Sequence, residues 1–240
     1  MHVAGDPSTP LSSAHKGALA EHFIHSQSLV DRDTAVAVLR EAFSQQKPFI
    51  VRQFPGAVPP PYATIAELLR NPPTGDRVAY AFNDRRSRIH YAFTSLIADT
   101  PSTRVAREWW SNINRLPDTG TDADMSAGSQ WNFISRRGMS SLHLDSADGT
   151  NTQCLGNKLW VAVDAAEAKR HGIVPLTTDS MRESPAGTYR LSDWLACSSF
   201  RWWIMNEGDT LFLSRNHVHG VSSIGDGDSI STGNYSHGQK

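Results

Sequence analysis

Residues 140–160, "SSLHLDSADGTNTQCLGNKLW", place a histidine and an aspartate two positions apart, with a lysine fifteen residues after the histidine. In an extended strand, side chains at positions i and i+2 point to the same face. His143 and Asp145 should therefore project together, offering a nitrogen and an oxygen to adjacent positions on one metal ion. The pair alone is not decisive, because such pairs also arise by chance in a chain with ten histidines.

A third ligand is available in residues 208–221, "GDTLFLSRNHVHGV". His217 and His219 are again two apart and share a strand face, so this spacing leaves open which of them binds. Two histidines and one carboxylate on one face of an octahedral ion leave three positions vacant, the arrangement of non-haem Fe(II) oxygenases. A bidentate 2-oxo acid would fill two of these positions, and dioxygen would fill the third.

Composition narrows the class of protein. The chain has 240 residues, a formal net charge of -1, 39% hydrophobic and 20% charged residues, which is ordinary for one globular domain. This charge gives no general attraction to nucleic acid or to an anionic membrane. Two cysteines outside any C-x-x-C pair, no signal peptide and no long apolar run predict a cytoplasmic protein without a membrane partner.

The hydrophobic pattern divides the chain into a helical first half and a β-rich second half. Residues 1–20 are predicted to be a flexible tail and residues 21–240 a single domain. Helices are predicted at 33–43, 63–70 and 102–116, and strands at 77–82 and 88–93. Further strands are predicted around 130–136, 141–145, 158–163, 200–205, 209–213, 217–221 and 229–235, interrupted by an insertion with a helix at 164–171. Short strands separated by polar turns favour a sandwich or barrel.

These features together resemble the JmjC-type, cupin-like Fe(II)- and 2-oxoglutarate-dependent oxygenases. The layout is close to that of the asparaginyl hydroxylase that modifies hypoxia-inducible factor. The resemblance rests on the His-x-Asp pair, "GNKLW" (156–160), "GDTLF" (208–212), the distal histidine and "SISTGNY" (229–235). It covers residues 30–235, and "QKPFIVRQF" (46–54) is similar to an early strand of these proteins.

The resemblance implies a mainly β fold, a double-stranded β-helix (jelly roll), with N-terminal helices and a helical insertion. It implies that His143, Asp145 and His219 bind Fe(II), and that Lys158 binds the distal carboxylate of 2-oxoglutarate. Three further residues are implied as cosubstrate contacts: Ser140, Asn234 and Asn151. Asn151 is the candidate to replace an Asn that many members place where this chain has Gly149. The family's Pro-x-x-Trp before the distal histidine is also missing, because this chain has "SRNHV" there.

The implied activity is hydroxylation of an unactivated C–H bond, with dioxygen consumed and succinate and CO2 as coproducts. The substrate is expected to be an amino-acid side chain, free or in a peptide or protein, or a natural-product intermediate. Two alternatives stay open: demethylation of an N-methyl-lysine by the same chemistry, and a cupin that binds a metal or ligand without turnover. His217 is expected to face the substrate or support a ligand. Monomer and homodimer are both compatible with the sequence.

Overall fold

The computed structural model describes residues 13–28, 34, 37–38, 41, 45–53, 78–84, 89–95, 129–145, 148–173 and 191–235. The helices are α1 (Ser13–Glu21), α2 (Ala165–Arg170) and α3 (Leu191–Leu195). The strands are β1 (Gln27–Ser28), β2 (Phe49–Arg52), β3 (Val78–Asp84), β4 (Ile89–Ser95), β5 (Ser129–Arg136), β6 (Met139–His143), β7 (Gly149–Leu155), β8 (Asn157–Asp164), β9 (Arg201–Met205), β10 (Asp209–Leu213), β11 (His217–Ile224) and β12 (Asp228–Tyr235). The described chain is mainly β, as predicted.

Strands β5 to β12 form a double-stranded β-helix. One sheet contains the order β10-β7-β12-β5, and the second has the order β6-β11-β8-β9. Every pairing within these two groups is antiparallel, and the chain passes back and forth between the sheets as it winds. Strands β1 and β2 extend the first sheet at one edge, and β4 and β3 extend it at the other. The predicted jelly-roll fold is confirmed by this strand order.

Strand β8 separates two apolar clusters because its side chains alternate between the two sheet faces. Trp160 and Ala162 point into the space between the sheets, with Ile50, Trp203, Met205, Leu211 and Leu213. Val161 and Val163 lie on the other face with Ala168, Ile173, Trp194, Cys197, Phe200 and Val218, which belong to the insertion, its two helices and the neighbouring strands. The outer face of the second sheet is thereby sealed by apolar packing, and polar groups inside the barrel must line the space between the sheets.

The N-terminal region differs from the predicted tail. Residues 13–21 form α1, which the sequence analysis had assigned to a flexible segment ending at residue 20. The Trp202 indole donates to the Leu19 carbonyl at 2.6 Å, and Ile24 N donates to the Trp202 carbonyl at 3.0 Å. These partners lie far away in sequence, so local composition could not reveal them. Residues 1–12 lie outside the described residues, and the single-domain boundary stays a prediction.

Strand β7 was not predicted. Its sequence, "GTNTQCL", is mostly polar and lacks the alternation that marks a half-buried strand. It is nevertheless buried between β10 and β12, where Thr152 and Thr210 share a hydrogen bond of 2.8 Å between their hydroxyls. Hydrogen bonds to the neighbouring strands therefore compensate for the burial of this polar strand.

The other secondary-structure predictions fare unevenly. The predicted strands at 77–82 and 88–93 correspond to β3 and β4, and the predicted helix at 164–171 corresponds to α2. Residues 34, 37, 38 and 41 are helical, in agreement with the helix predicted at 33–43. The predicted helices at 63–70 and 102–116 lie outside the described residues. Within the described segments, no helix has the length and apolar character that crossing a membrane requires.

Candidate metal centre

Three side chains that the sequence singled out converge at one end of the β-helix. His143 is the last residue of β6, Asp145 follows two residues later, and His219 lies on β11 directly opposite His143 in the strand register. Asp145 Oδ1 lies 3.8 Å from His143 Nε2, and Asp145 Oδ2 lies 3.5 Å from His219 Nε2. One ligand atom from each residue lies within 4.8 Å of the others. An ion bound at about 2.1 Å draws adjacent ligands to roughly 3 Å, so these residues fit a single ion.

The local geometry of the His-Asp pair differs from the expected continuous strand. Strand β6 ends at His143, so Leu144 and Asp145 belong to the chain that leaves the sheet. Leu144 is 44% exposed, while Asp145 turns back toward the two imidazoles. The same-face prediction therefore gives the correct outcome, although the strand geometry from which it was reasoned ends one residue too early.

The structure distinguishes the two histidines that the spacing left open. His219 joins the cluster, whereas His217 Nδ1 shares a hydrogen bond of 2.9 Å with Ser214 Oγ and lies outside the group. Burial lowers the pKa of His217, which favours its neutral form. His217 is thus positioned beside the centre, and its backbone carbonyl contributes to the orientation of His219.

That carbonyl fixes the protonation pattern of the His219 ring. His219 Nδ1 lies 3.0 Å from the His217 carbonyl, which can only accept, so Nδ1 carries the proton and Nε2 presents its lone pair to the cluster. Burial, followed by the nearby His143, lowers the pKa of His219 to about 4. The imidazole is therefore neutral at pH 7, the state that a metal ligand requires. The donor set and the tautomer both fit a divalent transition metal.

Lys158 is a buried cation on β8, on the strand face that points into the space between the sheets. It is 5% exposed, and its ammonium donates to Ser231 Oγ on β12 at 2.6 Å. Burial lowers its pKa to about 7, against a smaller opposing effect of Cys154. A desolvated ammonium is destabilised until an anion approaches it, so this side chain is suited to receive a carboxylate.

Ser140 lies on β6 in the second sheet, three residues before His143. It pairs with Val221 where the register of β6 and β11 shifts, and its hydroxyl accepts a hydrogen bond from Val221 N at 3.0 Å. The hydroxyl proton remains able to donate to an acceptor in the interior. The predicted cosubstrate contact of Ser140 stays a prediction.

Asn151 and Asn234, the two asparagines that the resemblance implies as cosubstrate contacts, pair with different residues in the first sheet. Asn151 is 5% exposed and pairs with Leu211, a member of the interior cluster, and with Gly233. Its Oδ1 atom has no hydrogen-bond partner within the described residues. Asn234 is one residue beyond Gly233 and pairs with Thr150. Its side chain lies outside the described structure, so its predicted contact with a cosubstrate is not tested.

Sequence reasoning missed Trp160 and Ser231 as residues of this interior. Trp160 follows Lys158 by two positions and stacks on His219 at a centroid distance of 5.7 Å and an interplanar angle of 19°. Strand alternation from Lys158 would have placed Trp160 on the interior face. Ser231 carried no comparable signal, because a serine in a strand is uninformative until its opposite wall is known.

The two cysteines take no part in this cluster. Cys154 and Cys197 are not joined by a disulfide in the described structure. Cys197 packs in the outer cluster, where burial raises the pKa of its thiol.

Comparisons with known proteins give weak similarities. No protein-family model matches the chain, and no curated protein matches it. Among solved structures, a 2OG-Fe(II) oxygenase-family oxidoreductase from Burkholderia pseudomallei is 9% identical, with a TM-score of 0.46, covering 88% of this chain and 94% of its own. An oxalate decarboxylase from Lactobacillus farciminis is 11% identical, with a TM-score of 0.35, covering 67% of this chain and 31% of its own. The Mn(II)-containing oxalate decarboxylase from Bacillus subtilis is 12% identical, with a TM-score of 0.34, covering 77% of this chain and 34% of its own.

These similarities are too distant to assign an activity. The chain spans about a third of the oxalate decarboxylases. The fold assignment above rests on the chain's own strand order, and the chemistry rests on its own side chains.

Proposed function

We propose that this protein is an Fe(II)- and 2-oxoglutarate-dependent oxygenase that hydroxylates an unactivated C–H bond. The observation that carries the proposal is the placement of the His143–Asp145–His219 cluster and the buried Lys158 on the walls of one interior. The cluster offers two nitrogens and one carboxylate, which leaves positions open on an octahedral ion. A buried ammonium apart from those ligands matches the far carboxylate of a dicarboxylic 2-oxo acid.

The chain's own residues perform binding, orientation and exclusion of water. His143, Asp145 and His219 would hold the ion, and the His217 carbonyl keeps the His219 ring in its ligating tautomer. Lys158 would orient the 2-oxo acid. Iron together with 2-oxoglutarate and dioxygen supplies the oxidation, with succinate and CO2 as coproducts.

The substrate assignment rests on the sequence resemblance to JmjC-type side-chain hydroxylases. We therefore propose an amino-acid side chain, free or within a peptide or protein, as the substrate class. The succinate experiment below separates turnover from binding without turnover. Demethylation of an N-methyl-lysine also yields succinate, and the formaldehyde that it releases distinguishes it from side-chain hydroxylation.

The test is succinate formation by purified protein supplied with Fe(II), ascorbate and 2-oxoglutarate, compared with Asp145→Ala. Removing the carboxylate takes away one of three ligands and the only anionic one, so succinate should fall at least about 1000-fold. His217→Gln is the matched control, because this imidazole lies two residues from His219 but outside the cluster; it should retain iron affinity within about threefold.

Two results would contradict the proposal. Equal succinate from the wild type and Asp145→Ala would show that the cluster does not hold the working ion. Tight iron binding by the wild type, with no binding of 2-oxoglutarate, would favour the cupin that binds a metal without turnover. Replacing Fe(II) by Mn(II) in the same assay then identifies the metal that supports turnover.

A further inference from the structure

Trp160 lies between the metal-binding cluster and Lys158 on the interior face of β8. Along the pairing of β8 with β11, Ala162 is opposite His219, Trp160 is opposite Val221, and Lys158 is opposite Ser223. The indole is therefore at the midpoint of the path from the cluster to the ammonium. A molecule that contacts both ends must pass beside Trp160.

The plane of this indole is fixed on both sides. Its ring stacks on His219 at 5.7 Å and 19°, and on Trp203 at 6.1 Å and 12°. Because an indole N–H lies in the ring plane, two near-parallel neighbours confine this donor to one plane. A hydroxyl at the same place could rotate to find a partner, but the indole cannot.

The Trp160 N–H is buried without a hydrogen-bond partner. The residue is 5% exposed, and its Nε1 atom finds no acceptor among the residues that the structure describes. Buried polar groups are nearly always paired, so an unpaired donor on the path between the metal-binding cluster and Lys158 indicates that a ligand on that path provides the acceptor. On the facing sheet, the Asn151 Oδ1 atom likewise has no partner among the described residues.

We propose that Trp160 Nε1–H donates a hydrogen bond to an oxygen of the bound 2-oxo dicarboxylate, as an anchor between the metal-binding cluster and Lys158. This inference rests on the proposed function and adds a specificity determinant to it. A fixed neutral donor discriminates by the position of the acceptor, whereas the ammonium recognises only charge. The ligand would thus be held at both ends and at a middle oxygen.

The test uses zinc-loaded protein, which is redox-inert, and measures the Kd for 2-oxoglutarate by calorimetry. Trp160→Phe retains an aromatic ring and removes the N–H, so the Kd should rise about tenfold while zinc affinity stays unchanged. Trp203→Phe is the matched control, because Trp203 Nε1 in the same stack is also buried without a partner in the described part of the chain, but Trp203 lies on β9, away from the path between the cluster and Lys158. It should change the Kd by less than twofold.

The outcomes distinguish this inference from the proposed function. If wild-type protein does not bind 2-oxoglutarate, the proposed function fails. If wild type binds and Trp160→Phe binds equally well, or if both variants weaken binding equally, only the role of Trp160 is refuted. An equal loss in both variants would point to a disturbed aromatic stack.

A second measurement avoids dependence on the folding of Trp160→Phe. In wild-type zinc protein labelled with ¹⁵N, the indole resonance with a through-space contact to the His219 ring should move downfield on addition of 2-oxoglutarate. The same movement should persist in Trp203→Phe. A Trp160 resonance that stays in place at saturating 2-oxoglutarate would overturn the inference.

Discussion

Glu167 and Lys158 are two buried charges with opposite surroundings. Glu167, 8% exposed on α2, accepts hydrogen bonds from Ser198 N and Oγ with one oxygen and from Ser199 N with the other. Burial alone would raise the pKa of Glu167, but the hydrogen bonds from Ser199 and Ser198 outweigh it and lower the pKa to about 2. Burial lowers the pKa of Lys158 to about 7, even though its ammonium donates to Ser231.

The contrast separates a charge that stabilises the fold from one that we propose binds a ligand. The Glu167 carboxylate is stabilised in its charged form by donors from the insertion, so it holds α2 against the chain before β9. Burial destabilises the charged form of the Lys158 ammonium, and a bound carboxylate would favour that form, in line with the proposed role of this residue. Replacing Glu167 should therefore lower stability and leave binding unchanged, whereas replacing Lys158 should raise stability and weaken binding.

Replacing Lys158 should give the largest change in binding. Lys158→Met removes the cation that would bind the distal carboxylate, so the Kd for 2-oxoglutarate should rise at least about 100-fold. The same variant should raise Tm by roughly 2–5 °C, because a desolvated ammonium is replaced by an apolar chain of similar length. Calorimetry and thermal unfolding measure the two effects. A fall in Tm with unchanged Kd would show that Lys158 is structural.

Replacing Glu167 should reverse this pattern. Glu167→Gln keeps the shape but loses the charge that the Ser198 and Ser199 donors stabilise, at a cost of about 1–2 kcal/mol. For a chain of this size that corresponds to a Tm lower by roughly 3–6 °C, with the Kd for 2-oxoglutarate unchanged. The exposed Glu207, which accepts from Gly156 N, provides the matched control, and Glu207→Gln should lower Tm much less.

The two charges also act in separate pH ranges. Because the folded-state pKa of Glu167 is depressed, its stabilisation is present above its ordinary pKa of 4.5 and is lost as the pH falls toward 2. The folded-state pKa of Lys158 is also depressed, so the unfolded chain binds more protons between pH 7 and 10.5 and stability rises with pH across that window. The Tm advantage of Lys158→Met should accordingly be largest below pH 7 and shrink above it.

The affinity for 2-oxoglutarate should weaken as Lys158 loses its proton. With a pKa of about 7 in the unliganded protein, the Kd should rise about tenfold per pH unit between pH 7.5 and 9. Lys158→Arg retains the charge throughout this range, and its Kd should stay flat. A wild-type Kd that is equally flat would show that the ammonium remains protonated or does not contact the ligand.

Removing a single hydroxyl group that hydrogen-bonds to Lys158 or Glu167 should give the smallest effects. Ser231→Ala removes the acceptor of the Lys158 ammonium, and the Kd for 2-oxoglutarate should rise about threefold because the side chain is less well oriented. Ser198→Ala removes one of several donors to Glu167, and Tm should fall by roughly 2–4 °C. A change in Kd in Ser198→Ala would contradict the assignment of Glu167 to stability alone. A larger fall in Tm in Ser231→Ala than in Ser198→Ala would contradict the assignment of Lys158 to ligand binding.

The predictability of each strand follows from its side chains. Strands β8 and β10 were predictable because apolar β-formers dominate their sequences, whereas the polar β7 became visible only through its neighbours. The helix α1 was missed for a similar reason, since its contact with Trp202 joins residues far apart in sequence. A sequence pattern predicts a strand or helix only when the apolar residues of that segment are themselves the reason why it is buried.

The sequence alone determined a mainly β chain, the His-x-Asp pair and the lysine that follows it, because residue types and fixed spacings are local properties. The jelly-roll class was implied by the family resemblance. The spacing left His217 and His219 equivalent, because residues two apart share a strand face, and the resemblance implied His219. The tertiary structure placed His219 in the cluster and His217 outside it. It also brought Ser231 to Lys158 and left the Trp160 N–H without a partner in the described interior. Strand register and burial between the sheets depend on several segments at once, so no single segment of the sequence determines them.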